Sequence, residues 1–404
     1  MKILVVAGWM YPDQEGGSFR VVYEAGRGLA ARGHEVHVAT QRLREEHPER
    51  EELAGMIVHR YTTAASSGPR FYASTARQVP RLVDRLQGEV GFEAVHTHHP
   101  VSAYGLHRAK SVRHVPCVAV LHSLYFLEYI DRHRAARSSD GRKGLSPGQI
   151  PIAAALRRLD AANLRRSARI VVLSDFTRGL VAEHLPDCLE KIDLLPGGVD
   201  LEEFRPEPSR AEARERLGLP TDRPIFFTCR RLEHRMGLLE LFGAARKLRD
   251  AGRNPLVLIA GRGALEQALA ERIERWHAAD VVTLLGYVPE DQLPLYYRAA
   301  DCFVLPTRAL EGFGLVTAEA FACGTPVLGT PVGATPELIR PFDPRLLTAD
   351  ATVAGIAEGM TRFLDQVATS PTLSQRCRSY AESRFRWDPF VDGLERISNN
   401  LARK

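Results

Sequence analysis

The stretch that determines the fold is an opening strand–helix–strand pattern: KILVVAG (residues 2–8), SFRVVYEAGRGLAARGH (18–34) and EVHVAT (35–40). The first and third runs are almost continuously apolar, which is typical of strands buried on both faces of a sheet. The middle run places apolar residues at helical spacing, and Gly33 marks its C-terminal end. The helical positions are Val21, Val22, Ala25, Leu29 and Ala30. This unit predicts a parallel sheet covered by helices.

The same alternation continues along the chain and pauses once. Further strands are predicted at 56–61, 94–99, 117–123 and 169–175, and the pattern restarts at 224–229, 256–261, 281–286, 301–306 and 326–331. Between the two series, residues 201–224 are rich in proline and charge, which is typical of an interdomain linker. We therefore predict an α/β protein with two doubly wound, Rossmann-like domains, 1–202 and 203–385, and an amphipathic C-terminal helix over about 386–404. Ligands of such folds bind at the carboxyl ends of the strands, so the expected site is a cleft between the two domains.

Composition narrows the class of protein. The chain has 404 residues, 54 basic and 49 acidic, for a net charge of +5. That charge is too small for a dedicated nucleic-acid binder, but it suits an anionic small ligand or an acidic membrane surface. Six scattered cysteines without C-x-x-C spacing predict buried free thiols in a reducing compartment. The first apolar run is too short for a signal peptide, and no run approaches the roughly 20 apolar residues of a membrane span. We expect a cytoplasmic protein.

Two loops carry features of phosphate binding. Gly16 and Gly17 precede the first helix, where free backbone amides and the positive helix end would favour a phosphate. This motif is neither G-x-G-x-x-G nor a P-loop, so a plain turn remains an alternative. In CRRLEHRMGLLEL (229–241), Arg231 and Arg235 could donate paired hydrogen bonds to phosphate oxygens, or they could be solvated surface arginines.

The segment EGFGLVTAEAFACGTPV (311–327) contains two acids, Glu311 and Glu319. A glycosidase-type pair needs its carboxyl groups about 5–5.5 or 6.5–9.5 Å apart. Eight helical residues would separate them by about 12 Å, which argues against a hydrolytic pair. Gly312 and Gly314 instead open a loop before a short helix that ends at Gly324. Carboxylates beside such an anion site are suited to accepting hydrogen bonds from ligand hydroxyls.

Histidines cluster in VHTHHP (95–100), and His122 follows another strand. His96 and His98 could form a metal pair, but no third ligand stands nearby. His122 could instead hydrogen-bond a substrate or a developing charge in a cleft, or it could be a satisfied core residue.

These segments together resemble the retaining glycosyltransferases of family 4. The matching stretches, in the family's order, are EGGSFRVVYEAGRGLAARGHEVHVAT, VHTHHP, IDLLPGGVDLEEFRP, RRLEHRMGLLELFGAARKL, LLGYVPEDQLPLYYRAADCFVLPT and EGFGLVTAEAFACGTPVLGTPVGATPELI. The resemblance covers almost the whole chain and implies the GT-B fold, with a C-terminal helix that crosses back to the N-terminal domain. It also implies metal-independent transfer of a sugar from a UDP-, GDP- or ADP-sugar, with no cofactor, to a saccharide, lipid-linked or small-molecule acceptor.

The resemblance assigns roles to individual residues. Glu311 would bind hydroxyls of the donor sugar, Glu319 would bind the ribose, and His122 would border the reacting sugar. Arg231 corresponds to the arginine of the family's G-R-L-x-x-x-K-G, and Arg231, His122 and Glu311 form the expected catalytic set. The remaining donor-binding residues would be Gly16, Gly17, Arg235, Tyr287, Val288, Phe313, Gly314, Leu315 and Val316. On the acceptor side we expect His98 and Tyr125.

The sequence departs from the family pattern in three places. Met236 stands where the family has the lysine that binds the diphosphate, and we expect Arg235 to replace that cation. Arg230 stands where the family has the first glycine, and Gly197 stands where asparagine is usual. Met236 keeps a rival open, a nucleotide-sugar-binding protein without transfer activity, and a nucleotide-sugar epimerase on the same fold is a second rival.

Residues 125–169 combine aromatic residues with repeated arginines. In the family such a region lies near the acceptor and sometimes on anionic membrane. The composition fits peripheral membrane contact at the inner face of the cell membrane, and it fits a solvated helix surface equally well.

Overall fold

The computed structural model describes residues 1–65, 68–139 and 144–403, and these divide into two compact units. The first unit comprises Met1–Tyr129, Ser146–Gly197 and Trp387–Lys404, and the second comprises Ile130–Leu145 and Gly198–Arg386. The main division of the chain therefore falls between Gly197 and Gly198. Residues 140–143 of the arginine-rich stretch lie outside the described residues.

Within the described part of the first unit, eight strands form a sheet in the order β3-β4-β2-β1-β5-β6-β7-β8. The pairings are parallel except for β3, which lies antiparallel on β4 at the sheet edge. The central strands are buried along nearly their whole length, as their continuous apolar runs predict. The strands are β1 (Lys2–Val6), β2 (Glu35–Gln41), β3 (Arg50–Leu53), β4 (Met56–Tyr61), β5 (Ala94–Thr97), β6 (Cys117–Leu121), β7 (Arg169–Val172) and β8 (Ile192–Leu194).

Helices connect these strands and cover the sheet. Leu4 and Val6 of β1 pack in one apolar cluster with Val79 and Val83 of the second helix. The helices are α1 (Gly17–Ala31), α2 (Gly68–Val90), α3 (Pro100–Leu106), α4 (Tyr125–Ser139), α5 (Gln149–Arg166) and α6 (Asp175–His184). From Ile130 onward, α4 is assigned to the second unit.

The second unit contains a parallel sheet with the order β11-β10-β9-β12-β13 among its described residues. Phe226, Phe227 and Phe303 are fully buried in its core. The strands are β9 (Ile225–Cys229), β10 (Leu256–Ala260), β11 (Val282–Gly286), β12 (Cys302–Leu305) and β13 (Val327–Gly329). The helices are α7 (Arg210–Arg216), α8 (Leu238–Asp250), α9 (Glu266–Arg275), α10 (Leu293–Ala299), α11 (Leu315–Ala322), α12 (Thr335–Ile339), α13 (Val353–Arg362) and α14 (Leu373–Arg384).

The C-terminal helix α15 (Trp387–Ala402) belongs to the first unit and packs on α1. Its apolar stripe, Trp387, Phe390, Leu394 and Ile397, is buried. A Cβ atom on Gly28 of α1 would lie 2.6 Å from Cγ2 of Val391, so glycine allows the two helices this close approach. The Nε2 atom of buried His96 lies 2.8 Å from the Ser398 hydroxyl, which ties the helix to β5.

The proline-rich stretch predicted as a linker carries a helix of its own. Ser209 and Glu212 form a capping box at the N-terminus of α7. Arg214 on this helix is buried and its guanidinium lies 2.6 Å from Asp301, just before β12. These contacts make residues 210–216 part of the second unit, although their composition is typical of a linker.

The six cysteines are all free; five are buried, and Cys229 is half-buried. Across the described ranges, no helix combines the length and the apolar character needed to cross a membrane.

Candidate active site

The carboxyl ends of the parallel strands in the second unit gather most of the predicted donor-binding residues at one sheet edge. Residues 230–237 follow β9, residues 261–265 follow β10, and residues 306–314 follow β12. Tyr287 and Val288 follow β11 at the same edge. A parallel sheet places its ligand sites at this edge.

Glu311 lies at the centre of a buried hydrogen-bonded triangle. Its Oε2 atom accepts a hydrogen bond from Nη2 of Arg230 at 2.6 Å and another from the Thr307 hydroxyl at 2.8 Å. Nη1 of Arg230 donates to the same Thr307 hydroxyl at 2.7 Å. The Arg230 and Glu311 side chains are only 7 % and 8 % exposed, and Thr307 is fully buried. Short, shielded and charge-assisted bonds of this kind fix a carboxylate in one orientation.

The triangle also sets the charge of Glu311. Burial alone would raise the pKa of this carboxyl group, but the Arg230 charge and the hydrogen bonds from Thr307 and Arg230 outweigh burial, with a further contribution from Arg235. The pKa of Glu311 therefore lies below its ordinary value of 4.5, and the side chain is an anion at neutral pH.

The backbone around Glu311 is held as firmly as its side chain. Its carbonyl oxygen accepts a hydrogen bond from the Ala334 amide at 2.9 Å. A Cβ atom on Gly333 would lie 2.4 Å from that oxygen, and Gly333 has a positive φ of 62°. Only glycine fits at position 333, where the loop after β13 packs directly on the loop after β12. This packing fixes the backbone position of Glu311.

The helix that follows begins at a left-handed glycine. Gly314 caps α11 with φ 86°, and the amides of Leu315 and Val316 form the first turn. The first amides of a helix have no acceptor within the helix, and the helix dipole is positive there. Phe313 is buried beside this turn. Gly314, Leu315 and Val316 therefore form a helix N-terminus of the kind that can bind an anion.

Glu319 lies on α11 and has a different partner from Glu311. Its Oε2 atom accepts a hydrogen bond from the hydroxyl of fully buried Tyr297 at 2.7 Å. Burial, followed by the neighbouring Glu319 charge, raises the pKa of Tyr297 well above its ordinary value, so the hydroxyl keeps its proton and donates. The two acids are therefore anchored separately.

The two predicted arginines differ in setting. Arg231 is exposed, whereas Arg235 is half-buried and its Nη1 donates to the Leu310 carbonyl at 3.2 Å, next to Glu311. Met236 is 5 % exposed and packs inward. Arg235, one residue before Met236, therefore lies against the loop that carries Glu311.

Glycines allow the loops after β9 and β10 to pack tightly. A Cβ atom on Gly261 would lie 1.9 Å from the Arg230 carbonyl oxygen, and the Arg230 amide donates to the Ala260 carbonyl at 3.0 Å. Beyond them, Val288 is buried, while Tyr287 is 45 % exposed with the Arg262 guanidinium 5.7 Å from its ring centre.

The first unit has its own cluster at the carboxyl ends of β1, β5 and β6. Nδ1 of His98 lies 3.3 Å from Nε2 of His122, and the two rings stack with centroids 5.5 Å apart. Burial lowers the pKa of His122 to about 4, with a smaller contribution from His99. Burial, followed by His122 and His96, holds the pKa of His98 well below its ordinary value. Both imidazoles are therefore neutral near pH 7.

Aromatic rings surround these histidines. Trp9 stacks on Phe71 at 6.0 Å and meets the His99 ring edge-on at 5.2 Å. The His99 ring also lies 5.3 Å from the ring of Tyr125. The Nε2 atom of His98 and the Nδ1 atom of His99 are buried and have no hydrogen-bond partner among the described residues. Unpaired buried polar atoms are costly, so this cluster is suited to a polar ligand that can bond them.

Gly16 and Gly17 lie at the start of α1, where both are exposed. Gly16 has φ 140° and is the N-cap of α1, whose first turn contains no acidic residue. Across the described ranges, no group of three or more His, Cys, Asp or Glu side chains is arranged to hold a metal ion.

Sequence reasoning did not identify the partners of four residues that support these clusters. Arg230 and Thr307 hold Glu311, Tyr297 holds Glu319, and Trp9 lies against His99. Arg230 was visible as a departure from the family pattern, and that departure was the signal of a different partner. The other three had no signal: no spacing rule marks Thr307, four residues before Glu311, and Tyr297 and Trp9 meet their partners only through the fold.

Two family models match the chain. The model described as Glycosyltransferase Family 4 matches residues 15–203, and the model described as Glycosyl transferases group 1 matches residues 209–384. Together with two parallel α/β units and the C-terminal helix on the first, these matches define a glycosyltransferase with the GT-B fold. The chain belongs to the family 4 type of these enzymes.

Relatives with assigned activities agree in class. A D-inositol 3-phosphate glycosyltransferase of Segniliparus rotundus is 27 % identical over 386 residues, covering 91 % of this chain and 80 % of the relative. A GDP-mannose-dependent α-(1-6)-phosphatidylinositol monomannoside mannosyltransferase of Mycobacterium tuberculosis is 29 % identical over 232 residues, covering 56 % of this chain and 60 % of the relative.

Solved structures share the fold. Sucrose-phosphate synthase from Thermosynechococcus elongatus superimposes with a TM-score of 0.80 at 22 % identity, covering 99 % of this chain and 98 % of that one. Anabaena HepE in complex with UDP-glucose gives a TM-score of 0.76 at 17 % identity, covering 99 % of this chain and 100 % of that one. At these identities the likeness establishes the fold alone.

Proposed function

We propose that the protein transfers a hexose from a nucleoside-diphosphate sugar to an acceptor hydroxyl, with retention of anomeric configuration and without a required metal ion. The observation that carries the proposal is the 311–319 segment. In this segment Glu311 is an ionised carboxylate that accepts two hydrogen bonds on one oxygen. Gly314 follows as the left-handed N-cap of α11, and Glu319 on α11 is a second carboxylate, held by Tyr297. These groups match the hydroxyls and phosphates of a nucleotide sugar in chemistry.

In this proposal the donor is bound from the sugar to the base along the second unit. Glu311 accepts hydrogen bonds from the sugar hydroxyls, and the backbone at Phe313 and Gly314 contacts the sugar. The amides of Leu315 and Val316 bind the phosphates. Charge-assisted hydrogen bonds from a helix terminus to phosphate oxygens are favourable without any side chain.

The remaining donor contacts follow the same logic. The Glu319 carboxylate, held by Tyr297, accepts hydrogen bonds from the ribose hydroxyls. The backbone at Tyr287 and Val288 contacts the base. Gly16 and Gly17, at the N-terminus of α1, complete the set of proposed phosphate-binding residues.

Bond cleavage leaves a nucleoside diphosphate with a developing negative charge. Arg231 and Arg235 stabilise this charge, and the released diphosphate oxygen takes the acceptor proton on the same face. Preorganised cations of this kind act in the transition state more than in the bound ground state. Arg235 supplies the cation that Met236 does not.

His122 borders the reacting sugar, and His98 and Tyr125 lie on the acceptor side. Neutral imidazoles can donate from one nitrogen and accept at the other, so they suit hydroxyl groups. The Trp9 and Tyr125 rings beside His99 suit the apolar face of a hydroxylated ring. Because relatives include a D-inositol 3-phosphate glycosyltransferase and a phosphatidylinositol monomannoside mannosyltransferase, a cyclitol, a saccharide or a lipid-linked form of either is the proposed acceptor.

A donor screen tests the proposal. The protein is incubated separately with UDP-glucose, GDP-mannose and ADP-glucose plus inositol acceptors, and released nucleoside diphosphate is measured. One donor should release its diphosphate in step with glycosylated acceptor. Binding without release would identify a binding protein, and an altered sugar without transfer would identify an epimerase; either result would overturn the proposal.

We further propose a cytoplasmic location with peripheral contact to anionic membrane. Ile150 and Ile152 at the start of α5 are 57 % and 45 % exposed, and Arg157 and Arg158 on the same helix are also exposed. Exposed apolar residues beside arginines suit an anionic lipid surface. Co-sedimentation with vesicles should require anionic lipid, weaken with salt and decrease in Ile150→Ser. Binding that is absent or insensitive to salt would refute the membrane contact.

A further inference from the structure

We propose that Arg230 is a positioning residue for sugar transfer, because it holds Oε2 of Glu311 so that Oε1 alone is presented to the donor sugar. This inference rests on the proposed function. It concerns the residue at which the chain departs from the family's glycine.

Arg230 is held in one orientation by its backbone and by its side-chain contacts. Its amide donates to the Ala260 carbonyl at 3.0 Å, and its own carbonyl lies against Gly261, where any Cβ atom would clash. The side chain is 7 % exposed and donates through both terminal nitrogens. An arginine side chain buried to this degree and bonded at both nitrogens has lost the freedom to act as a mobile phosphate ligand.

The Thr307 hydroxyl donates its proton to Glu311. The hydroxyl accepts a hydrogen bond from Arg230 at 2.7 Å and lies 2.8 Å from Oε2 of Glu311. A hydroxyl has one proton to donate, and the arginine cannot accept it. The arginine therefore directs the hydroxyl proton onto Glu311, and Oε2 receives two hydrogen bonds from the protein.

The other carboxylate oxygen of Glu311, Oε1, is left to bind the ligand. Among the described residues no hydrogen bond reaches Oε1 of Glu311. A Cβ atom on Gly314 would lie 3.5 Å from this oxygen, so Oε1 lies beside the glycine that caps α11. The carboxylate presents one oxygen next to a helix terminus. A carboxylate held in this way bonds one hydroxyl with a defined direction, whereas a free carboxylate could rotate and bond either of two neighbouring hydroxyls.

Charge supports the same conclusion. Burial favours the neutral acid, and the Arg230 charge is the largest influence that opposes it. Without this cation, burial would dominate and the pKa of Glu311 would rise. An opposite charge at this distance shifts a carboxyl pKa by about 1–3 units.

The experiment combines a pH profile with a double-mutant cycle. The variants are Arg230→Met, Arg230→Lys and Glu311→Gln, with Arg230→Met/Glu311→Gln closing the cycle. In Arg230→Met, kcat/KM for the donor should fall roughly 10- to 100-fold at pH 7. The acid limb of its pH profile should move up by about 1–3 pH units. Arg230→Lys should keep the acid limb close to that of the wild type, because lysine keeps the positive charge. This variant still tests the inference if Arg230→Met folds poorly.

Arg214→Met is the matched control. Arg214 is also buried and paired with a carboxylate in the second unit, at 2.6 Å from Asp301. Its loss should lower the melting temperature and leave the acid limb of the donor kcat/KM in place. An unmoved acid limb in Arg230→Met, or a shift of the same size in Arg214→Met, would overturn the role of Arg230.

The cycle separates this inference from the proposed function. The melting temperatures of the ligand-free variants can be measured whether or not the protein is active. Arg230→Met should lower the melting temperature clearly less in the Glu311→Gln background than in the wild type. An equal drop in melting temperature in both backgrounds would show that Arg230 and Glu311 are not coupled, and it would overturn the inference. If the wild type transfers no sugar although the coupling is measured, the proposed function fails while the buried pair stands.

Discussion

Replacing Asp160 with asparagine should stabilise the protein near neutral pH and not in acid. Asp160 on α5 is 2 % exposed, and its Oδ2 atom accepts a hydrogen bond from the Phe126 amide at 3.0 Å in the first turn of α4. Burial raises the pKa of Asp160 to about 7, assisted by Glu128 and opposed by the backbone amides of Phe126 and Tyr125. Between about pH 4 and pH 7 the side chain is therefore mostly protonated in the folded protein, whereas an unfolded chain would carry the anion.

The magnitude follows from linkage. The pKa of Asp160 is raised from 3.8 to about 7, which corresponds to about 4 kcal/mol at 1.36 kcal/mol per pH unit. A raised carboxyl pKa gives stability that is fully present below pH 3.8 and is lost as the pH rises through 7. Asparagine does not ionise, and its Oδ1 atom can still accept the Phe126 hydrogen bond. The free energy of unfolding of Asp160→Asn relative to the wild type should rise by about 4 kcal/mol between pH 4 and pH 8.

Urea unfolding of both proteins at pH 4, 5, 6, 7 and 8 measures this difference. The expected curve rises through pH 5–7 and levels off above pH 8, where the wild-type side chain is ionised in both states. A difference that is constant from pH 4 to pH 8 would show that Asp160 titrates as it would in water, and the reasoning from burial would be refuted.

Three further substitutions test the donor site. Arg231→Ala removes a cation from the leaving diphosphate and should raise the barrier by roughly 2–4 kcal/mol; near-normal turnover at saturating donor would exclude Arg231 from the reaction. Tyr297→Phe removes the hydrogen bond to Glu319 and should raise the donor KM about tenfold with kcat nearly kept, a loss of about 1–2 kcal/mol in steady-state kinetics; an unchanged KM would contradict the anchoring role. Gly237→Ala places a Cβ atom 1.7 Å from the Pro306 carbonyl oxygen at a positive φ of 72° and should cost about 3 kcal/mol in thermal unfolding; a wild-type melting temperature would contradict the close approach.

The buried strands could be predicted because apolar runs of five or six residues identify them directly. β1 and β10 are such runs, and the structure has them where the sequence places them. β3 was not predicted, because Arg50–Leu53 is a charged, half-exposed edge strand whose pairing depends on β4 alone. β8 has three residues and carries too short a pattern to detect.

The two acids of the candidate site could be identified from the sequence, and their bonding partners could not. Glu311 and Glu319 stand out by their spacing around two glycines; Glu311 lies in the loop after β12 and Glu319 lies on α11. The partner of Glu311 is Arg230, 81 residues away, and only the fold brings the two together. The residues around Glu311 in the sequence do not indicate which distant side chain will bond to its buried carboxylate.

The stereochemistry of transfer tests the central claim most directly. The purified protein, the nucleotide sugar selected by the donor screen and an inositol acceptor are combined in EDTA, and the first-formed product is examined by proton NMR. The account predicts a new glycosidic bond with the anomeric configuration of the donor, formed at full rate without metal, and a strong loss of rate in Glu311→Gln. An inverted product, or no transfer until a divalent metal is added, would contradict it.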